Sequence, residues 1–496
     1  MRRLTPALLL MLAAVAWATP AGSTAGEPAR TREPVVSVTR HSGEFNGETV
    51  HYTATVRENF LSGPDGIPNA HLVTIAYVRD GVPDPAQRPV AFVFNGGPGA
   101  SSSPLHMDGI GPRIREGDTI RPNPYSLLDA VDLVFIDPVG AGFSRNFTTE
   151  AGKQYWSRTG DAKSVATVIA RWLRDNGREA SPRYLIGESY GTVRNAYLLA
   201  NHQHELRIDG VVQVAMVGHT GNDPDERVIG DFPSMAATAW YWEKIPRDRT
   251  VAEVFEDAAD FAGSTLRAAL AQGDALPEDE KRRVARAMAA LIGIPADFIA
   301  DKNLRLAKDD FMFTLIADRG LRTGQLDTRV SAPLEGATRG AAGDPTMFGP
   351  GGLKIDGSGL IGIDEPNQPP LTDRPPTALE RYLTEDLAFE TAVPQYRGVN
   401  FDANQAWDHE GSPPIMPMIA RAMQDDPGLR LVWTNGYYDL STPAYAARLA
   451  VEQAGLPQER VQEILLAGPH SVFQGDDNKA ILSQALREFM AGGTGD

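Results

Sequence analysis

Short apolar runs that alternate with helical patterns constrain the fold of this chain more than any other feature. Each run is continuously apolar, as expected of a strand that is covered on both faces. Several are separated by segments with helical spacing, which is typical of a largely parallel sheet flanked by helices. The runs are Pro89–Phe94, Val131–Ile136, Tyr184–Ile186, Gly210–Val217, Leu429–Trp433 and Val461–Leu466.

The regions on either side of this pattern differ from it. Three earlier runs, Val35–Thr39, Thr49–Arg57 and His71–Arg79, are β-branched or alternating and are separated by turn signals, which predicts an antiparallel N-terminal portion of the sheet. Residues 222–405 interrupt the strand–helix rhythm, which resumes afterwards. We therefore predict a cap inserted into one α/β core made of residues 26–221 and 406–496. A second independent domain is the alternative.

The N-terminus has the layout of a secretory signal peptide. Arg2 and Arg3 precede an apolar run, Ala7–Trp17, and small residues permit cleavage after Ala18 or Ala25. We predict a signal peptide over residues 1–25 and an exported protein, periplasmic or secreted. An uncleaved anchor is the alternative. No other segment is apolar for long enough to span a bilayer, so no stable membrane insertion is expected.

Charge and composition exclude several classes of function. The net charge is −17 and the pI is near 5.0, which disfavours nucleic acid as a partner. The chain has no cysteine, which excludes a cysteine nucleophile, a thiolate metal site and disulfides. We predict no metal and no cofactor, and the sequence leaves the oligomeric state open.

A candidate nucleophile lies between a predicted strand and a predicted helix. Gly187–Gly191 has the pattern Gly-x-Ser-x-Gly, with Ser189 at its centre. At such a sharp turn the flanking glycines avoid collisions and the hydroxyl is held exposed above the sheet. A tight turn with a capping serine is the alternative. The strand before it and the helix after it favour a nucleophile.

A serine nucleophile needs a base, and the base needs an acid that orients it. His470 is the strongest candidate base because it follows the predicted strand Val461–Leu466. Asp439 is the candidate acid because it follows another predicted strand. The weaker candidates are His219, which precedes any suitable acid, His409, which lies near the end of the predicted cap, and Asp408, which no strand precedes.

Several segments resemble the signatures of the serine carboxypeptidase family. Asn95–Ser102 resembles its N-G-G-P-G-x-S-S signature, and Asp137–Ser144 resembles a second one. Gly187–Gly191 resembles the family's G-E-S-Y-[AG] segment. Tyr438–Pro443 and Gly468–His470 look like its aspartate and histidine segments. The resemblance implies an α/β-hydrolase fold with a mostly parallel central sheet, an antiparallel N-terminal portion and an inserted cap.

The resemblance also implies roles for residues of the glycine-rich loop. Gly97 and Tyr190 would supply the backbone N–H groups of an oxyanion hole. Asn95, the Gly96 N–H and Glu188 would bind the terminal carboxylate of a peptide. Two carboxyl groups in contact must share a proton, so the pKa of the protein's carboxyl should be raised.

This chain departs from the family pattern where eukaryotic members place a second glutamate. That position is Gly109 here, and Asp108 lies one residue earlier. The expected activity is release of C-terminal residues from peptides with a free C-terminus, through an acyl-enzyme. An acyltransferase, a small-molecule esterase and, from another class, a non-catalytic binding protein are the alternatives.

Overall fold

The computed structural model describes residues 32–218, 223–337, 375–393 and 395–492. The predicted signal peptide and the rival histidine His219 lie outside these ranges. The strands are β1 (Val36–Phe45), β2 (Glu48–Ser62), β3 (Pro68–Arg79), β4 (Val90–Phe94), β5 (Arg113–Glu116), β6 (Thr119–Pro122), β7 (Asp132–Asp137), β8 (Arg145–Asn146), β9 (Arg183–Glu188), β10 (Gly210–Val214), β11 (Leu321–Thr323), β12 (Ser331–Pro333), β13 (Arg430–Gly436) and β14 (Val461–Leu466).

The main sheet has the order β1-β2-β3-β7-β4-β9-β10-β13-β14, with β8 beside β3. From β7 to β14 all neighbouring strands are parallel. The strands β1, β2, β3 and β7 pair antiparallel with one another in that order. The predicted mostly parallel sheet with an antiparallel N-terminal portion is therefore confirmed.

Helices connect and cover the parallel strands. For example, α2 lies between β7 and β9 in the chain, and α3 follows β9 directly. The helices are α1 (Thr149–Tyr155), α2 (Arg158–Asp175), α3 (Tyr190–Leu206), α4 (Pro224–Tyr241), α5 (Val251–Phe261), α6 (Arg267–Leu270), α7 (Glu278–Ile292), α8 (Ala296–Asp301), α9 (Lys308–Thr314), α10 (Ala378–Arg381), α11 (Phe401–Gln405), α12 (Met416–Asp425), α13 (Ala444–Gln453) and α14 (Asp476–Ala491).

Successive side chains of a strand point to opposite faces of the sheet. On the apolar strands, the side chains of both faces are buried. On β4, Phe92 and Phe94 belong to one hydrophobic core, whereas Ala91 and Val93 belong to the core on the other side. All four are fully buried. Each large apolar side chain buried in this way contributes about 1.5–3 kcal/mol relative to an exposed one.

The region between β10 and β13 adds no described strand to the main sheet. Its first part forms α4 to α9 and the small pair β11–β12, around a third hydrophobic core. That core includes Tyr437, Tyr438 and Tyr445 from the segment after β13. Residues of 375–393 such as Leu383 and Phe389 instead pack into a core beneath the main sheet. The boundaries 222–405 of the cap stay a prediction.

No helix within the described ranges is both long enough and apolar enough to cross a bilayer. Export through a signal peptide remains a prediction.

Candidate active site

Ser189 occupies a strained turn between β9 and α3. Its backbone has φ 59° and ψ −124°, in a region that costs a non-glycine residue about 1–3 kcal/mol. A Cβ atom on Gly187 would lie 2.3 Å from the carbonyl oxygen of Gly191, and one on Gly191 would lie 2.9 Å from that of Phe94. Glycine is therefore required on both sides of Ser189, as expected of the Gly-x-Ser-x-Gly turn.

His470 and Asp439 form a close pair at the ends of β14 and β13. The Nδ1 atom of His470 lies 2.8 Å from Oδ2 of Asp439. The carboxylate also accepts hydrogen bonds from the Ser441 N–H at 2.7 Å and from the Thr442 hydroxyl at 2.5 Å. Because Nδ1 faces Asp439, Nε2 of His470 is the nitrogen left to act on a substrate or on Ser189.

The charges of this pair stabilise each other. Burial opposes ionisation of Asp439, but the charge and hydrogen bond of His470 outweigh it, so the pKa of Asp439 is lowered. Burial also opposes the charged imidazole, yet Asp439 and Glu188 together leave the pKa of His470 raised. The arrangement therefore favours an imidazolium next to a carboxylate, which is the state that a general base reaches when it takes a proton.

Backbone contacts fix the position of the His470 loop. The His470 N–H donates to the Leu326 carbonyl at 2.7 Å, and the Tyr438 N–H donates to the Gly468 carbonyl at 3.0 Å. The rival acid Asp408 is occupied elsewhere, where it accepts a hydrogen bond from the Glu410 N–H at 2.8 Å. The structure thus brings Asp439, and not Asp408, to His470.

The glycine-rich loop after β4 packs directly on the start of α3. A Cβ atom on Gly96 would lie 2.2 Å from the backbone nitrogen of Tyr190, so only glycine permits this approach. Gly97 follows with φ 95°, and Tyr190 is the first residue of α3. The N–H groups at the start of a helix have no partner within the helix and favour negative charge. Tyr190 follows Ser189 directly in the chain, and Gly97 lines the same cavity as Ser189.

Glu188 and Asn95 form a buried hydrogen-bonded pair next to the nucleophile. The Asn95 amide donates to Oε1 of Glu188 at 2.9 Å, and the Leu105 N–H donates to Oδ1 of Asn95 at 3.1 Å, which orients the amide. The Ser471 hydroxyl is 3.4 Å from the same Glu188 oxygen. Burial raises the pKa of Glu188 to about 7, while the charge of His470 lowers it and that of Asp108 raises it.

One cavity connects most of the predicted site residues. It has a volume of about 660 Å³. Six of the eight predicted residues line it, and the other two, Asp439 and Tyr190, do not. The six are Asn95, Gly96, Gly97, Glu188, Ser189 and His470. Among the described residues, no group of three or more His, Asp or Glu side chains is arranged to hold a metal ion.

Asp108 lies on the wall of this cavity, and Gly109 does not. Both belong to a π-helical turn, Leu105–Ile110, whose hydrogen bonds join residues five apart and not four apart as in an α-helix. The position of a Cβ on Gly109 would be 3.4 Å from the ring of Phe473, so this side is filled by an apolar neighbour. Asp108 forms an ion pair with Arg115 at 2.6 Å. A carboxylate therefore does stand near Glu188, one residue earlier than the family pattern places it.

Arg194 is a buried residue of the site that the sequence did not reveal. Its side chain has no exposed surface, and its Nε lies 2.7 Å from Oδ2 of Asp161 on α2. Its Nη1 donates to the Asn95 carbonyl at 2.7 Å, and the guanidinium lies against the rings of Phe94 and Tyr190. Arg194 thus ties the glycine-rich loop to α3. Its sequence signal is a charged residue in the otherwise uncharged stretch Tyr190–Ala200.

Part of this chain is similar to a known protein family, and its fold is similar to that of solved structures. A family model described as serine carboxypeptidase matches residues 77–204, which include the glycine-rich loop and Ser189. The search of curated proteins found no match. Among solved structures, Kex1(delta)p, a prohormone-processing carboxypeptidase from Saccharomyces cerevisiae, is 12% identical with a TM-score of 0.55, and the match covers 88% of this chain and 92% of that one.

Two further structures share less of the fold. MenH from S. aureus is 12% identical with a TM-score of 0.36, covering 85% of this chain and 99% of that one. Juvenile hormone epoxide hydrolase from the silkworm Bombyx mori is 12% identical with a TM-score of 0.36, covering 90% and 79%. No functional conclusion follows from scores this low. The carboxypeptidase match, together with the sheet order, confirms the predicted α/β-hydrolase fold.

Proposed function

We propose that this chain is a serine carboxypeptidase that releases C-terminal residues from peptides. The family match and the fold support its being a serine hydrolase. The observation that carries the proposal is the buried carboxyl of Glu188. It has a pKa of about 7, is hydrogen-bonded to Asn95 and lines the same cavity as Ser189. A carboxyl that is protonated near neutral pH can donate a hydrogen bond to a carboxylate.

The chemistry begins at the hydroxyl of Ser189. In this proposal Nε2 of His470 takes the hydroxyl proton as the oxygen attacks the scissile carbonyl, and Asp439 stabilises the imidazolium that forms. The N–H groups of Gly97 and Tyr190 donate to the developing oxyanion. His470 then gives its proton to the amine of the departing residue. Water, activated by the same histidine, hydrolyses the acyl-enzyme.

Recognition of the chain terminus rests on three groups next to the nucleophile. Protonated Glu188 donates one hydrogen bond to the substrate carboxylate, and the Asn95 amide and the Gly96 N–H donate others. Asp108 assists from the cavity wall, because its negative charge raises the pKa of Glu188. It thereby takes over part of the role that the resemblance assigns to a glutamate at the position of Gly109.

The test is release of an amino acid from an N-blocked dipeptide, followed by chromatography. Wild-type protein should release the C-terminal residue, and Ser189→Ala should abolish both release and labelling by a fluorophosphonate probe, a loss of roughly 10⁶-fold. Ser62→Ala, at the end of β2 and outside the cavity lining, is the matched control and should keep full activity. Labelling at a serine other than Ser189 would refute the assignment.

The same assay separates the rival activities on this triad. If the protein is a hydrolase, the acyl part of the substrate peptide should be released mainly as the free acid, even when a second peptide or an amine is added as acyl acceptor. A main product in which the acyl group has moved to the acceptor would favour the acyltransferase instead. Turnover of small esters without release of any amino acid from peptides would favour the esterase.

A further inference from the structure

The cavity wall around Asp108 carries two cationic side chains that the proposed mechanism does not use. Arg115 and Lys479 both line the cavity, and their side chains are only 6% and 11% exposed. Arg115 uses Nη2 for its ion pair with Asp108, while its Nη1 is buried and has no hydrogen-bond partner among the described residues. The Nζ of Lys479 lies 3.6 Å from Asp476, farther than a hydrogen bond.

The charges at this end of the cavity favour an anion. The cavity lining near Asp108 holds two cations, Arg115 and Lys479, and two carboxyl groups, those of Asp108 and Glu188, of which Glu188 is protonated in the proposed function. Asp476 also faces Lys479, but it is 62% exposed and therefore strongly solvated. Farther out, Arg121 and Glu116 pair with each other at 2.7 Å and are 38% and 68% exposed, so they contribute little net field.

This cationic end lies close to the place where the proposed function seats the substrate terminus. Asp108 is near enough to Glu188 for its charge to act on that carboxyl, and Lys479 is near enough to act on Asp108. If the terminal carboxylate binds beside Glu188, the side chain of the same residue extends into the neighbouring space. Arg115, Lys479 and Asp108 are charged residues of the cavity lining at that place.

We propose that Arg115 and Lys479 make the enzyme select peptides whose C-terminal residue is acidic, aspartate or glutamate. The inference rests on the proposed carboxypeptidase function. An acidic side chain supplies the closer partner that Lys479 lacks and a negative charge for Arg115, and charge-assisted hydrogen bonds are among the strongest available in a partly desolvated site. A basic side chain would place a third cation there, which is unfavourable.

The test compares four N-blocked peptides that differ only in the last residue: glutamate, glutamine, leucine and lysine. For wild-type protein, kcat/KM should be about tenfold higher for glutamate than for glutamine, the size expected of one charge-assisted hydrogen bond, and lowest for lysine. The glutamate-to-glutamine ratio cancels effects on the main-chain carboxylate, because both peptides carry it. Higher salt should reduce this ratio.

Two variants change the ratio in opposite directions. Lys479→Gln should lower it to about two or three, since a charged partner is replaced by a neutral one. Asp108→Asn should raise it, because the competing anion is removed. Lys153→Gln changes a 67% exposed lysine on α1 and should leave the ratio as in wild type. Calorimetry of the same peptides binding to the Ser189→Ala protein should give the same order of affinity.

The outcomes distinguish this inference from the proposed function. The acidic selectivity would be overturned if all four residues were released with equal efficiency, or if lysine were preferred and Asp108→Asn abolished that preference. Either result would leave the proposed carboxypeptidase function standing. Absence of release from every peptide, with equal binding of all four to Ser189→Ala, would overturn both. Preferential release and binding of the glutamate peptide would support both.

Discussion

Replacing Glu188 by glutamine should remove the dependence of substrate binding on pH. The pKa of Glu188 is about 7, so one pH unit above this value only about one molecule in eleven carries the protonated carboxyl. If that form binds the terminal carboxylate, KM for a free-acid peptide should be about elevenfold higher there than on the acid plateau. Glutamine keeps a hydrogen-bond donor and stays neutral, so KM of Glu188→Gln should be nearly constant over the same range.

The acid side of the profile should be governed by His470. Burial lowers the pKa of His470, but Asp439 and, to a smaller extent, Glu188 raise it above the ordinary value, and the imidazole must be neutral to act as base. Hence kcat should fall in acid for both proteins, and kcat/KM of the wild type should follow a bell.

The assay is the initial rate of release from matched free-acid and amidated peptides between about pH 5 and about pH 9. The amidated peptide lacks the terminal charge and should show no rise of KM in alkali with either protein. Equal pH profiles for the two peptides, with Glu188→Gln behaving as wild type, would contradict carboxylate recognition by Glu188. The esterase alternative would then be preferred.

Three further predictions concern the triad, the buried ion pair and export. Asp439→Asn should leave the protein folded by circular dichroism but reduce kcat by about 10⁴-fold, because His470 loses its orienting partner; a mild effect would show that another acid serves. Arg194→Met should lower the free energy of unfolding in urea by about 3–5 kcal/mol, because Asp161 is left buried without its partner; adding Asp161→Leu should recover part of the loss, and an unchanged Arg194→Met protein would refute the role. N-terminal sequencing of exported protein should begin at Thr19 or near Gly26, and an intact N-terminus on cytoplasmic protein would contradict export.

The parts of the site that follow strand ends could be predicted from the sequence. The runs that became β4 and β9 are continuously apolar because both faces are buried, so their ends could be located. The carboxyl ends of parallel strands meet at one edge of a sheet. Asp439 and His470, which come from strands next to each other, could therefore be expected to meet, and they do at 2.8 Å.

The remaining features depend on packing that a linear pattern does not encode. Arg194 and Asp161 are brought together by the contact of α3 with α2, and neither residue belongs to a local motif. The family pattern gives the position of Gly109, whereas Asp108, in the same π-helical turn, is the residue on the cavity wall. Arg115, on the following strand, pairs with Asp108 at 2.6 Å, a contact that spacing along the chain does not predict.

The central claim is that Ser189 removes single residues from the free carboxyl end of a peptide. The most direct test incubates the mature protein with an equimolar mixture of one peptide as free acid and as amide, and follows both by mass spectrometry over time. The account predicts a ladder of products that loses one C-terminal residue at a time from the free acid, while the amide is consumed much more slowly and Ser189→Ala produces neither change. Cleavage inside the peptide, removal of residues from the amino end, or equal consumption of acid and amide would contradict it.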